Sequence, residues 1–260
     1  MSAYSVGFIG GGRVARILLG GLRRAAASPA SCVVSDADPG VLGVLKTQFP
    51  EVRTVGSDNA EAARQDLVFG ALHPPALKDV LPRVGEHMRA GSVFVSLAPV
   101  IRLPALTNAL GGFERVARMI PNAASIVGSG FNPIALSNEL GGEDRVRLLE
   151  WLGALGECPE VPDEHLEAYA ILTAMGPTYF WYQLEQLEEL GAGFGLDPGA
   201  TRHALLRMIH GAATTFFEAG LTAEEVIDLI PVKPLHELEG SVRNAYRTRL
   251  RALHDKLTQR

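Results

Sequence analysis

The chain has 260 residues, 47% hydrophobic and 20% charged, with a formal net charge of −5. At ~150 residues per domain that is one large domain or two modest ones, with enough apolar material for a core. The acidic balance argues against a broad basic face for nucleic acid or an anionic membrane, and no apolar run approaches the ~20 residues that span a bilayer. From Tyr4 to Pro162 short apolar runs alternate with helix-length amphipathic stretches, the rhythm of a parallel α/β sheet. Strands are expected at 4–9, 31–35, 52–55, 66–72, 92–97 and 115–120, with a weaker one at 157–161. Helices are expected to start near Arg13, Pro39, Ser57, Pro74 and Leu103. Asp66–Leu72 and Ser92–Leu97 are apolar on both faces, as central strands covered by helices would be.

After Pro162 the strands stop. A long helix is expected over 163–190, N-capped by Asp163 and broken near Gly176-Pro177. Another is expected from Pro198 to Gly220, and a third opens at Thr222 with Glu225 completing a capping box. Leu238, Val242, Tyr246, Leu250, Leu253 and Leu257 form one helical stripe, suited to packing against another helix, here from a second subunit. The fold class is therefore α/β: a Rossmann-type parallel-sheet domain over 1–162, followed by an all-α dimerisation and substrate domain over 163–260. The N-terminus lacks the features of a secretory signal. Cys32 and Cys158 lack metal or redox spacing and are expected as inert buried thiols, so a cytoplasmic location is expected.

Glycine is over-represented at 28 residues, against ~7% usage on average, or about 18. The run Val6-Gly7-Phe8-Ile9-Gly10-Gly11-Gly12-Arg13-Val14-Ala15 explains its most telling part. It reads as strand, G-x-G-x-x-A turn, helix. In a dinucleotide-binding unit Gly10 makes the tight turn, Gly12 lets the backbone approach a pyrophosphate, and Ala15 allows close strand–helix packing, with Gly11 among the residues expected at the cofactor. The helix start at Arg13 and Val14 then offers N–H groups and a positive dipole end. Ser35 and Asp36, ending the second strand, stand where a ribose-reading residue belongs. A carboxylate there accepts from ribose hydroxyls and repels a 2′-phosphate, so NAD(H) is favoured over NADP(H). Asp38 is the more natural cap for the helix at Pro39.

Several segments in order resemble pyrroline-5-carboxylate reductases. Gly7 to Ala15 is similar to that family's GFIGxGxMA opening. Asp66 to Pro74 is similar to its D-V-I-F-L-A-V-K-P strand end, with His73 in place of lysine. Arg118-Met119-Ile120-Pro121-Asn122 resembles R-x-M-P-N, and Gly176-Pro177-Thr178-Tyr179 resembles G-P-A-Y. The resemblance implies hydride transfer from a nicotinamide to the carbon of a cyclic imine, and a homodimer or higher homo-oligomer interlocked through the C-terminal helices. It places Ala71, Leu72, His73, Pro74, Ala98 and Asn122 around the nicotinamide. The family's S-P-G-G-T-T loop, which holds the substrate carboxylate, is not matched. Asp228 to Glu237 contains neither glycine nor threonine, and Pro231 and Pro234 lack N–H donors. Either Lys233 replaces the lost donors and meets an imine carboxylate as a point charge, or the substrate is another compound. Thr178 and Tyr179 have hydroxyls suited to an imine nitrogen, although a tyrosine at a helix interface is an equal reading.

Two other chemistries stay open. β-Hydroxyacid dehydrogenases use a lysine on the interdomain helix. Here the four lysines are Lys46, Lys78, Lys233 and Lys256, none of them between Gly153 and Thr201. The altered 228–237 loop also suits a nucleotide-binding sensor that turns nothing over. The seven histidines form no strong metal pattern, and no metal is expected.

Overall fold

A computed structural model of the protein describes residues 4–258. Alternating apolar runs become strands β1 (Ser5–Ile9), β2 (Ser31–Ser35), β3 (Arg53–Val55), β4 (Leu67–Gly70), β5 (Val93–Ser96) and β6 (Val116–Met119). Between them lie helices α1 (Arg13–Arg24), α2 (Pro39–Gln48), a one-turn α3 (Ala60–Ala63), α4 (Pro74–Gly85) and α5 (Leu103–Ala109). Three further strands, β7 (Gly130–Phe131), β8 (Ile134–Leu136) and β9 (Gly156–Glu157), and helix α6 (Gly142–Leu152) follow. The main sheet has the order β3-β2-β1-β4-β5-β6-β8; only β8 runs antiparallel, against β6. The fold class is as expected: a Rossmann-like sheet followed by a helical region.

Both faces of the sheet are covered, which is why its strands read as apolar throughout. On one face Val6, Phe8, Val34, Phe69, Val95 and Met119 pack with Leu18 and Leu22 of α1 and Leu148 and Leu152 of α6. On the other, Ile9, Val33, Val68, Phe94 and Val116 meet Leu77, Leu81, Leu106 and Leu110. Phe8 and Phe69 stack with ring centroids 4.9 Å apart. At Gly7 a Cβ would stand 1.9 Å from the Ala62 carbonyl oxygen, so α3 lies directly against the backbone of β1.

The chain divides into two compact units. The first runs to Met175 and takes in the segment from His254; the second is Gly176–Leu253. This division falls later than the 162/163 boundary expected from the sequence. The expected long helix is instead a series: a 3-10 turn (Asp163–His165), α7 (Leu166–Tyr169), a π-turn (Ala170–Ala174), a 3-10 turn (Gly176–Tyr179) and α8 (Trp181–Gly193). Asp163 does not cap it. Its carboxylate accepts from the Leu103 N–H and pairs with Arg118, because a buried guanidinium on a central strand requires counter-charges.

The second unit continues with α9 (Pro198–Glu218), α10 (Ala223–Asp228) and α11 (His236–Ala245), then a π-turn (Tyr246–Leu250) leading into α12 (Arg251–Thr258). Both parts of the Thr222–Glu225 capping box form. Over 176–253 only Gly176, Gly191 and Thr201 are buried, so this unit encloses no apolar side chain of its own. Its stripe residues Leu238 and Val242 are exposed. Among the described residues no helix is long and apolar enough to cross a membrane, and no group of three or more candidate metal ligands occurs. Cys32 and Cys158 are free thiols, each pushed up to about 12 by burial.

Candidate dinucleotide site

β1 ends at Ile9 and the chain turns through Gly10, Gly11 and Gly12 into α1. The three glycines have three different physical reasons. Gly10 sits at φ +105°, and a Cβ there would come within 2.7 Å of the Ala71 carbonyl oxygen. Its N–H donates to Ser35 O at 2.8 Å, while Ala71 N–H donates to Ile9 O at 2.8 Å. The turn is thus laced to the ends of both neighbouring strands, β2 and β4. Sheet order reverses between β1 and β4, the switch point at which open α/β sheets take their ligands.

Gly11 is buried, and its N–H donates to Asp36 Oδ2 at 2.8 Å. Gly12 is the N-cap of α1 in extended conformation, with no atom within 4 Å of the place its Cβ would occupy. The helix has no side-chain cap and no acidic residue in its first turn. The N–H groups of Arg13 and Val14 lie at the uncompensated positive end of the dipole, with the exposed Arg13 side chain beside them. An open cradle at Gly12, below unsatisfied donors, fits a pyrophosphate.

Asp36 stands beside this cradle. Its other oxygen accepts from Asp38 N–H at 2.9 Å, and a carboxylate with about four acceptor positions has capacity left for ribose hydroxyls. Asp38, as expected, caps α2 by accepting from Gly40 N–H. Ser35 is buried with its hydroxyl 2.6 Å from Asn59 Oδ1 and its carbonyl on Gly10, so it shapes the turn from within.

Beyond β4, Ala71 and Leu72 are half-buried, His73 is exposed, and Pro74 occupies the first turn of α4. His73 caps α4 without a side-chain bond, which leaves its ring unused by the helix. Ala98 is buried just past β5. Asn122 is 7% exposed: Oδ1 accepts from Ala124 N–H at 2.8 Å and Nδ2 donates to Thr173 O at 2.7 Å. Its amide therefore ties the end of β6 to the 170–174 turn.

Thr178 and Tyr179 lie in the second unit, in the 3-10 turn before α8. The Tyr179 ring meets Tyr246 edge-on at 5.6 Å. Burial, then the neighbouring Tyr246, pushes its phenol pKa above the ordinary value, so it keeps its proton at neutral pH. Lys233 is exposed on the loop between α10 and α11.

One cluster escaped the sequence reading. Arg118 of β6 is 0% exposed and binds Asp163 and, through Nη2 at 2.5 Å, Glu167 Oε1. Glu167 Oε1 also accepts from Val100 N–H at 2.9 Å. Val100 has φ +80°, a conformation worth roughly 1–3 kcal/mol of strain in a β-branched residue. The signal was an arginine inside the apolar run Val116-Ala117-Arg118-Met119-Ile120, a placement that demands buried carboxylates.

Comparison with known proteins agrees with this geometry. The family model described as NADP oxidoreductase coenzyme F420-dependent matches residues 5–99, the part that carries the glycine turn and Asp36. Pyrroline-5-carboxylate reductase of Corynebacterium melassecola is 25% identical, with 97% of each chain covered. That of Methanosarcina acetivorans is 26% identical over 95% of this chain and 94% of its own. The crystal structure of Plasmodium falciparum pyrroline carboxylate reductase with NADP bound superimposes with TM-score 0.81 at 19% identity, covering 99% of this chain and 98% of that one. Fold, glycine turn and end-to-end sequence similarity point the same way: over nearly its whole length the chain is similar to pyrroline-5-carboxylate reductases.

Proposed function

We propose that the protein is an NAD(P)H-dependent reductase of a cyclic imine carboxylate, pyrroline-5-carboxylate or a related compound. The observation that carries this reading is the open, uncapped cradle at Gly12, in a chain similar from end to end to proteins of that name. When bound, the nicotinamide supplies hydride to the C=N carbon, and the nitrogen gains a proton to give the saturated amine. Gly10, Gly11, Gly12, Arg13 and Val14 hold the pyrophosphate, Ser35 and Asp36 shape and read the ribose, and Ala71, Leu72, His73, Pro74, Ala98 and Asn122 edge the nicotinamide. Asp36 makes NAD(H) the preferred cofactor. Thr178 or Tyr179 offers a hydroxyl to the imine nitrogen, and Lys233 takes the carboxylate that Pro231 and Pro234 cannot meet with N–H groups.

The second unit supports a homo-oligomer. It encloses no apolar side chain, and α8 and α9 leave an open groove lined by Trp181, Leu184, Leu205, Leu206 and Ile209. Covering this surface with a second copy removes it from water at about 25 cal/mol per Å². Unpaired cysteines and the absence of a spanning helix among the described residues suit a cytoplasmic protein.

The proline-bearing loop favours one alternative, a sensor that binds the nucleotide and turns nothing over. Oxidation of NADH in the presence of pyrroline-5-carboxylate and a panel of cyclic imines separates the two. Turnover with a raised KM in Lys233→Ala is the expected result. Cofactor binding without turnover of any imine refutes the reductase.

A further inference from the structure

Val100 combines a left-handed backbone at φ +80° with a β-branched side chain, so something must hold it there. Its N–H donates at 2.9 Å to Glu167 Oε1. Glu167 is 1% exposed, and the same oxygen is gripped by the fully enclosed Arg118. The second carboxylate on Arg118, Asp163, accepts from Leu103 N–H at 3.1 Å. One guanidinium therefore anchors the β5–α5 connection at two points, through its two counter-ions. That connection leaves the carboxyl end of β5, two strands from β1 and on the sheet edge that carries the glycine turn. The 99–100 peptide is trans, as are all among the described residues, and in a planar trans peptide the Pro99 carbonyl points opposite to the Val100 N–H. It is turned away from the buried carboxylate.

We propose that Glu167 is a positioning residue for the cofactor. By holding the Val100 N–H it fixes the 99–100 peptide so that the Pro99 carbonyl accepts from the carboxamide N–H of the nicotinamide. The inference rests on the dinucleotide reading of the site. It goes beyond that reading in assigning a role to a buried ion pair that would otherwise count only toward stability.

The test compares NADH with ADP-ribose, which has the same adenosine and pyrophosphate but no nicotinamide, by titration of the full-length protein. Glu167→Met and Glu167→Gln are both uncharged and of similar length, and only glutamine keeps an acceptor for Val100 N–H. Glu167→Met is expected to weaken NADH roughly tenfold, about 1.4 kcal/mol, and leave ADP-ribose within about twofold. Glu167→Gln is expected to hold the NADH to ADP-ribose ratio within about twofold of the parent, even where removing the charge lowers its melting temperature. Val100→Pro deletes the N–H and forbids positive φ while leaving the ion pairs intact, and is expected to behave like Glu167→Met. Equal weakening of both ligands or an unchanged ratio in Glu167→Met or Val100→Pro, or equal losses of NADH selectivity in the glutamine and methionine variants, overturns the proposal. If the parent binds both ligands and the variants show such a result, only this inference falls. If the parent binds neither, the dinucleotide reading falls with it.

Discussion

Gly10 and Gly12 are two residues apart, and the structure assigns them opposite sensitivities to one added methyl group. In Gly10→Ala the new Cβ must accept φ +105° and would lie 2.7 Å from a backbone oxygen of Ala71, which cannot swing aside. Backbone strain and overpacking together cost on the order of 3 kcal/mol, or ~6–12 °C in melting temperature for a chain of this size. In Gly12→Ala the backbone is already at φ −68° and ψ −158°, allowed for any residue, and the methyl enters open space. Apo stability should stay within about 1 kcal/mol, on the favourable side if the unfolded chain loses entropy. The same methyl would stand where the backbone meets the pyrophosphate. Loss of one charge-assisted hydrogen bond, about 1.5–3 kcal/mol, weakens NADH roughly 10- to 150-fold. Melting curves of the apo proteins and fluorescence titration with NADH measure both quantities. Parent-like NADH affinity in Gly12→Ala, or an apo melting loss matching that of Gly10→Ala, would refute the assignment.

Asp36 predicts tighter binding of NADH than NADPH, with Asp36→Ser narrowing the difference by roughly tenfold as like-charge repulsion is removed; a parent protein that prefers NADPH by a factor of ten sinks the argument. Asp66 accepts from Ser5 Oγ at 2.7 Å and from Ser5 N–H, and these bonds, the hydroxyl's foremost, hold its pKa below the ordinary value. A depressed carboxylate stabilises the fold above its unfolded pKa of about 3.9, and that contribution is lost as pH falls through the folded value. Melting temperatures of the parent and Asp66→Asn should therefore differ at pH 7 and converge in acid below about pH 4. Divergence toward low pH would show that another group governs.

The Rossmann half was legible because its signals are local. β2 has the expected ends, and the glycine turn follows β1 directly. The elements that escaped notice depend on distant partners. Ile134-Ala135-Leu136 follows Pro133 and is too short to show a period; it becomes β8 only by pairing with β6. α6 begins at Gly142 behind a second glycine, a start that lacks both cap and staple. Asp163 looked like a helix cap because nothing nearby reveals that Arg118, 45 residues earlier, claims its carboxylate. Glu167 follows the polar run Asp163-Glu164-His165 and reads as one more solvated carboxylate; its burial follows from an arginine 49 residues away. The candidate site divides in the same way, since the glycine turn is one short segment while the Val100 loop is shaped by three separated ones.

The two ends of the sheet have a consequence for self-association. Both edge strands, β3 and β8, are three residues long, and β3 carries the Arg53–Glu61 ion pair. Such short rims, one of them charged, give a stray strand little ladder on which to add. Self-association through backbone pairing is thereby discouraged, and the exposed apolar side chains lie instead on helices, as at Trp181, Leu206 and Phe217, and on the 229–235 loop. A surface of that kind makes contacts through side chains, which can be matched one against another in a way that an open ladder cannot.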